Sequence, residues 1–283
     1  ATAVYFDETP ISDRRSGPMT YPPDPLLVDI ARIEVLRGPQ GTLFGSGSMG
    51  GAIRIISNQP DLDSYEGFAE AIIANTKHGG LGYDARALIN VPLVADHAAI
   101  RAVAYYGDSG GWIDNTLLGR KDVNSNEVKG FRLAGLWSSQ DRWTVKANIV
   151  HHERSSDGTG IDEDNPPWTQ QRRVKEKNGD EWSLYSLDIG YDFDWGQLVS
   201  TTSITRRNLD NLVDATDFYQ DVLSPVFPPE LLSTVVAVEH REQENFAQEI
   251  RLSSSDDGRL DWLLGLFYQD QDYFVEQQVQ APG

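Results

Sequence analysis

A mainly β chain built on an antiparallel, membrane-crossing sheet is predicted by three features of the sequence. Apolar and polar residues alternate with period 2 through long runs, tight turn signals alternate with long polar connections, and no apolar run approaches the ~18 residues of a membrane helix. Successive side chains leave a strand on opposite sides, so such alternation gives each strand one lipid-facing and one water-facing side.

The strands follow in order. Tyr83, Ala85, Ala87, Ile89 and Val91 share one face, while Asp84, Arg86 and Asn90 share the other. The same division separates Trp143, Val145, Ala147 and Ile149 from Thr144, Lys146 and Asn148. It recurs for Tyr185, Leu187, Ile189, Tyr191 and Phe193 against Ser186, Asp188, Gly190 and Asp192. Leu260, Trp262, Leu264, Leu266 and Tyr268 make a further apolar face. Nine strands are expected, beginning near Tyr65, Gly82, Ala98, Lys129, Arg142, Asp180, Gln197, Gln243 and Arg259. The runs reach or exceed the ~9 to 11 residues that a tilted strand needs to cross a bilayer. Ala95-Asp96, Ser139 to Asp141, Asp194 to Gly196 and Ser255 to Gly258 read as tight turns. Gly107 to Val128, Arg154 to Glu181 and Asp210 to Arg241 read as connections too long for a compact soluble domain. Short turns at one end and long loops at the other form the outer-membrane barrel pattern, with the short side periplasmic. Trp137, Trp143, Trp195 and Trp262 fall near the short turns, where an interfacial aromatic girdle belongs.

The first part of the chain has a different texture. Val4 to Ile11 alternates briefly, and Ser12 to Pro25 is a loop rich in Pro, Ser, Asp and Arg. Asp29 to Pro60 then joins two short β runs through Arg37-Gly38-Pro39-Gln40-Gly41 and the glycines Gly45, Gly47, Gly50 and Gly51. Glycine allows positive φ and proline presets its own, which suits turns. Gly45-Ser-Gly-Ser-Met-Gly50 also satisfies the dinucleotide pattern G-x-G-x-x-G. That chemistry needs the third glycine to open a helix, whereas Gly51-Ala-Ile-Arg-Ile-Ile-Ser57 is strand-like, so the glycines are expected to permit close backbone packing instead.

Taken whole, Asp29 to Pro60 resembles the C-terminal half of the plug domain of TonB-dependent receptors, the ligand-gated transporters of the Gram-negative outer membrane. The resemblance implies part of a small α/β plug domain over residues 1–62 and the N-terminal part of the receptor barrel over 63–283. Because plugged transporters have about 22 strands, nine make only a partial antiparallel transmembrane β-barrel, and the first half of the plug and the TonB box are expected to lie outside this sequence. It implies a plug loop reaching the ligand side, making Arg14, Arg15, Met19 and Tyr21 ligand-contact candidates, with Trp112, Trp168, Phe218 and Tyr219 joining them from the long-loop side. Gly38, Pro39, Gly41, Gly45, Gly50 and Gly51 mark the plug motif. Arg37 resembles the plug arginine that pairs with barrel-wall acids, and Glu249, on a lumen-facing register, is its expected partner. The implied function is energised uptake of a scarce solute, most often a ferric siderophore, with TonB, outer-membrane lipid and lipopolysaccharide as partners. Cobalamin and oligosaccharides share this architecture.

Composition narrows the alternatives. A formal charge of -19 argues against a nucleic-acid partner. There is no cysteine, hence no disulfide framework and no thiolate metal site. No nucleophile elbow sits at a strand-to-helix turn, and no enzyme, cofactor or catalytic signature is expected. His151 and His152 are adjacent on a strand and point to opposite faces, so they do not share a metal. The acidic stretch Asp157 to Asn165 departs from calcium-loop spacing and reads as a solvated loop. A passive pore would lack the glycine-rich plug, and a soluble β-rich binding protein would not carry lipid-facing stripes.

Overall fold

The computed structural model describes residues 2–12, 23–25, 27–45, 47–158, 166–223, 225–226, 228, 232–255 and 260–281. Its first part holds strands β1 (Thr2–Phe6), β2 (Thr9–Pro10) and β3 (Ile30–Arg37), the four-residue helix α1 (Gly41–Phe44) and strand β4 (Gly51–Ser57). These strands form one mixed sheet in the order β2-β1-β4-β3, with β1 parallel to β4 and β3 antiparallel to it. The glycine-rich segment ends directly in β4, so its third glycine opens no helix and the dinucleotide reading fails. Gly51 holds φ +139°, and a Cβ there would meet the Leu36 carbonyl oxygen at 2.2 Å, which only glycine tolerates.

The remainder is a wall of long strands: β5 (Glu66–Asn75), β6 (Leu81–Val94), β7 (Ala98–Ser109), the two-residue β8 (Asp114–Asn115), β9 (Asn126–Ser138), β10 (Trp143–Ser156), the two-residue β11 (Thr169–Gln170), β12 (Lys177–Phe193), β13 (Gly196–Asp214), β14 (Val236–Ser254) and β15 (Leu263–Gln280). Nine of them make one antiparallel meander in chain order, with β8 and β11 pairing separately across two loops. All nine expected strands are present. Several are longer than their apolar stripes: β10 and β12 stay paired to Ser156↔Asn178, and β13 and β14 to Asp214↔Val236. The long connections are correspondingly shorter than the sequence suggests, because main-chain pairing continues beyond the point where the outer face stops being apolar. The third of them also folds a two-turn helix, α2 (Thr216–Leu223), which starts beneath the buried Thr216.

The two faces of the wall differ as the alternation requires. Outward residues such as Ile89, Leu133, Leu187 and Leu266 are exposed, while Asn90, Arg101, Arg132, Trp182, Leu184 and Ser203 on the other face are buried. At the tight-turn end the outward aromatics touch in series, Trp143 to Tyr191 at 4.6 Å, Tyr191 to Phe193 at 4.6 Å, Phe193 to Trp195 at 4.9 Å and Trp195 to Trp262 at 6.1 Å. This is the expected girdle, built by cross-strand neighbours. Leu187 lies two to three strand pairs from that girdle, near the middle of an apolar band ~25 Å tall. Leu187→Arg is expected to destabilise the inserted barrel by about 2–4 kcal/mol, measured by denaturant unfolding in lipid vesicles. Arginine on the inward neighbour Ser186 provides the comparison and should have a smaller effect.

Candidate functional site

The small sheet is seated on the buried face of the wall. Phe6, Ile11 and Ile55 from the small sheet and Val150, Trp182 and Leu184 from β10 and β12 form one apolar cluster, with Val4 and Ile30 against it. Around it the contacts are polar. Asp29, at φ 58°, adopts a left-handed conformation that aspartate tolerates better than most residues, and its carboxylate turns into the wall. Arg101 of β7 grips it with two bonds, Nε to Oδ2 at 2.7 Å and Nη2 to Oδ1 at 2.6 Å. Arg132 of β9 donates to the same carboxylate, and also to Ser57 Oγ at 2.6 Å and the Asn58 carbonyl at 3.0 Å. Burial pushes the Asp29 pKa up, but the hydrogen bonds from Arg101 and Asn58 and the charge of Arg132 outweigh it, holding the carboxyl below its usual range. Asn90 of β6 completes the attachment by donating to the Asp61 and Ser64 carbonyls at 2.9 and 2.7 Å, which fixes the connection into β5.

On the other flank, Glu8 joins Arg54 of β4 at 2.7 Å to Arg251 of β14 at 2.9 Å. Asp7 accepts from Ser57 N at 2.8 Å, Ser57 Oγ at 2.9 Å and Asn148 Nδ2 at 3.3 Å. Burial lifts its pKa above the usual value, against the hydrogen bonds from Ser57. A folded pKa raised above the unfolded one means that the charged form weakens the fold at neutral pH, and that this penalty disappears as pH falls through the folded pKa. Asp7→Asn is therefore expected to stabilise the seated sheet at pH 7 and to lose that advantage in acid, as read by thermal unfolding across pH. The new amide can also donate to Asn148 Oδ1, which is buried and has no partner among the described residues.

Above the anchored sheet, at the long-loop end, two cavities open on the same face. The larger, about 910 Å³, lies between the chain at Pro23-Asp24 and the ends of β10, β12, β13 and β14, where Arg154, Asp180, Arg207, Glu239 and Arg241 supply its charged wall. Arg207 is held by Asp180 through two hydrogen bonds of 2.8 and 2.7 Å, and Arg241 forms an ion pair with Glu239, Nε to Oε1 at 2.6 Å. The second, about 570 Å³, lies between Leu27-Val28 and β5 to β10, and includes Tyr105 and His152, which share a 2.7 Å hydrogen bond. Asp24 and Arg154 border both cavities.

Placement of the residues singled out from sequence is mixed. Arg14, Arg15, Met19 and Tyr21 lie outside the described residues. Trp112 and Trp168 sit in neighbouring loops, joined where Asp114 N donates to the Trp168 carbonyl at 2.9 Å, and Phe218 and Tyr219 touch edge to face on α2 at 5.3 Å. These four border neither cavity. The expected pair of Arg37 and Glu249 is not formed: Glu249 lies 3.4 Å from Arg251, and the wall contacts are made by Asp29 and Glu8 instead. The reason is the sheet order, since β3 is an edge strand and Arg37 shares its exposed face with Ile33 and Val35. Gly38, Gly45 and Gly51 adopt positive φ, while Pro39, Gly41 and Gly50 complete the turns around α1. Arg154, Arg207 and Arg241 were missed because they fall at the ends of the long strands, where no apolar stripe marks the strand, although each keeps the inward register.

Residues 1–52 match the family described as TonB-dependent Receptor Plug Domain. The chain is 28% identical over 182 residues to a probable TonB-dependent siderophore receptor, PirA of Acinetobacter baumannii, covering 59% of this chain and 24% of that protein. The ferric yersiniabactin uptake receptor FyuA from Yersinia pestis superposes with TM-score 0.77 at 16% identity over 99% of this chain and 41% of the receptor. The siderophore receptor PiuA from Acinetobacter baumannii gives 0.72 at 13% identity over 99% and 40%. The chain thus spans about a quarter of the length of its curated relative and two fifths of the solved receptors. Residues 1–52 thus match a TonB-dependent receptor plug domain, and the chain as a whole has the fold of part of a plugged β-barrel, a plug-like sheet pinned to the inner face of nine consecutive wall strands, as in these solved siderophore receptors.

Proposed function

We propose that the receptor built on this chain takes up a ferric siderophore across the outer membrane, with residues 1–62 as part of its plug and 63–283 as part of its barrel. The observation that carries this reading is the larger cavity, which has the plug-side residues Pro23 and Asp24 as one wall and the strand ends as the other, so a bound solute touches both. Three arginines in that wall suit a solute rich in oxygen donors, by charge-assisted hydrogen bonds. Arg14, Arg15, Met19 and Tyr21 are proposed as further solute contacts, and the loop aromatics Trp112, Trp168, Phe218 and Tyr219 as outer contacts that capture the solute by stacking. Engagement of TonB would supply the energy for plug rearrangement.

The test is radioactive-iron uptake in the host with the receptor gene deleted and restored, over a panel of ferric siderophores. Deletion should abolish uptake of one chelate, restoration should recover it, and collapse of the proton-motive force should stop it. Uptake that survives that collapse would instead assign a passive pore.

A further inference from the structure

Of the three arginines bordering the larger cavity, Arg154 is held differently from the others. Arg207 and Arg241 are nearly buried, with side chains 10% exposed, and each is paired with a carboxylate of the wall itself. Arg154 is 45% exposed, and its carboxylate partner, Asp24, comes from the plug side and is 79% exposed. Its guanidinium is aimed by Asn126, which accepts from Nε at 2.8 Å, while Nη1 reaches Asp24 Oδ2 at 3.3 Å, a long contact for a charged pair. Asn126 would therefore keep the arginine in place after Asp24 had left. Because Asp24 and Arg154 border both cavities, the pair also divides them.

We propose that Asp24 occupies the position of an anionic group of the solute, so that Arg154 is a specificity-determining contact and Asp24 its built-in competitor. A solute carrying a carboxylate or catecholate displaces Asp24 from Nη1, takes over the hydrogen bond and joins the two cavities. A solute without negative charge cannot make this exchange and gains nothing from Arg154. An exposed ion pair is weak, so the competitor lowers the affinity for an anionic solute only modestly, and the preference over neutral solutes comes from the bond that Arg154 gives to the anionic one alone. The inference rests on the uptake reading given above.

The experiment compares two chelates of the same metal, an anionic ferric tris-catecholate and an uncharged ferric tris-hydroxamate, binding to the purified receptor with Asp24→Asn or Arg154→Gln. Removing the competitor should tighten the tris-catecholate by about two- to fivefold. Arg154→Gln should weaken it by about tenfold or more, as expected for a lost hydrogen bond to a charged group. Affinity for the tris-hydroxamate should change less than about twofold in both variants, within the range of neutral surface substitutions. An unchanged or weakened tris-catecholate affinity in Asp24→Asn, or a wild-type receptor that binds no tris-catecholate, overturns the proposal, whereas the uptake reading on which it stands falls only if no chelate of the iron-uptake panel depends on the receptor.

Discussion

Asp29→Asn is expected to loosen the plug from the barrel wall by about 3–5 kcal/mol, the range for breaking a buried ion pair by removing one partner. Asparagine is the informative replacement, because it keeps the shape and tolerates the left-handed backbone that Asp29 adopts. What it removes is the charge that two nearly buried guanidiniums share, those of Arg101 and Arg132, whose side chains are 4% and 5% exposed. Glu66 still meets Arg101 at 2.6 Å, so the greater loss falls on Arg132, left with Ser57 and the Asn58 carbonyl. Since the Asp29 pKa is held below its ordinary value, its contribution is present at neutral pH and is lost as pH falls through the folded pKa. The gap between wild type and variant should accordingly be full at pH 7 and close only in strong acid. Hydrogen exchange of β3 and β4 measures it, with the wall strands as an internal standard that should not change.

Trp182→Ala should have an effect of similar size, about 3–5 kcal/mol, through a cavity rather than a charge. Trp182 is 2% exposed and packs in one cluster with Phe6, Ile11 and Ile55, so its ring is, with Val150 and Leu184, an apolar contact from the wall to the plug. Its indole nitrogen is buried and has no hydrogen-bond partner among the described residues. Phenylalanine therefore removes an unsatisfied donor while keeping most of the apolar area, and Trp182→Phe should lose far less than Trp182→Ala. Equal losses in the two variants would show that the ring contributes little to seating. Both variants are read by the midpoint at which a protease cuts the plug in increasing denaturant.

The parts legible in the sequence were those encoded by local periodicity. Alternation along Tyr83 to Val91 and Tyr185 to Phe193 marked strands and faces together, because one side meets lipid and the other does not. The glycine-rich segment was legible for a similar reason, since Gly51 answers to a backbone approach that few residues permit. The plug-to-wall contacts were not legible. Asp29 meets Arg132 across 103 residues and Glu8 meets Arg251 across 243, and nothing local distinguishes these acids from the many that line a polar lumen. Arg37 stands out by its place in a motif, but the face on which a side chain lies is set by sheet order, which the motif does not contain. The cavity wall was hidden because Arg154, Asp180 and Arg241 fall in stretches that read as loop, while Arg207 lies in an expected strand where no apolar stripe marks the face.

Lipid-quenching of single cysteine labels tests the central claim, that one face of this sheet meets lipid and the other holds the plug, and residues 1–283 contain no cysteine that would compete for the label. Leu187 and Lys146 are suitable positions, since Ala147↔Leu187 and Lys146↔Asp188 are adjacent pairs of the same two strands and place them at nearly equal depth on opposite faces. In vesicles of brominated lipid, a fluorophore at Leu187 should be strongly quenched and one at Lys146 should not, while iodide in the lumen should quench only the second. Equal quenching by lipid at both positions, or the reverse pattern, would contradict a barrel wall with the plug inside it.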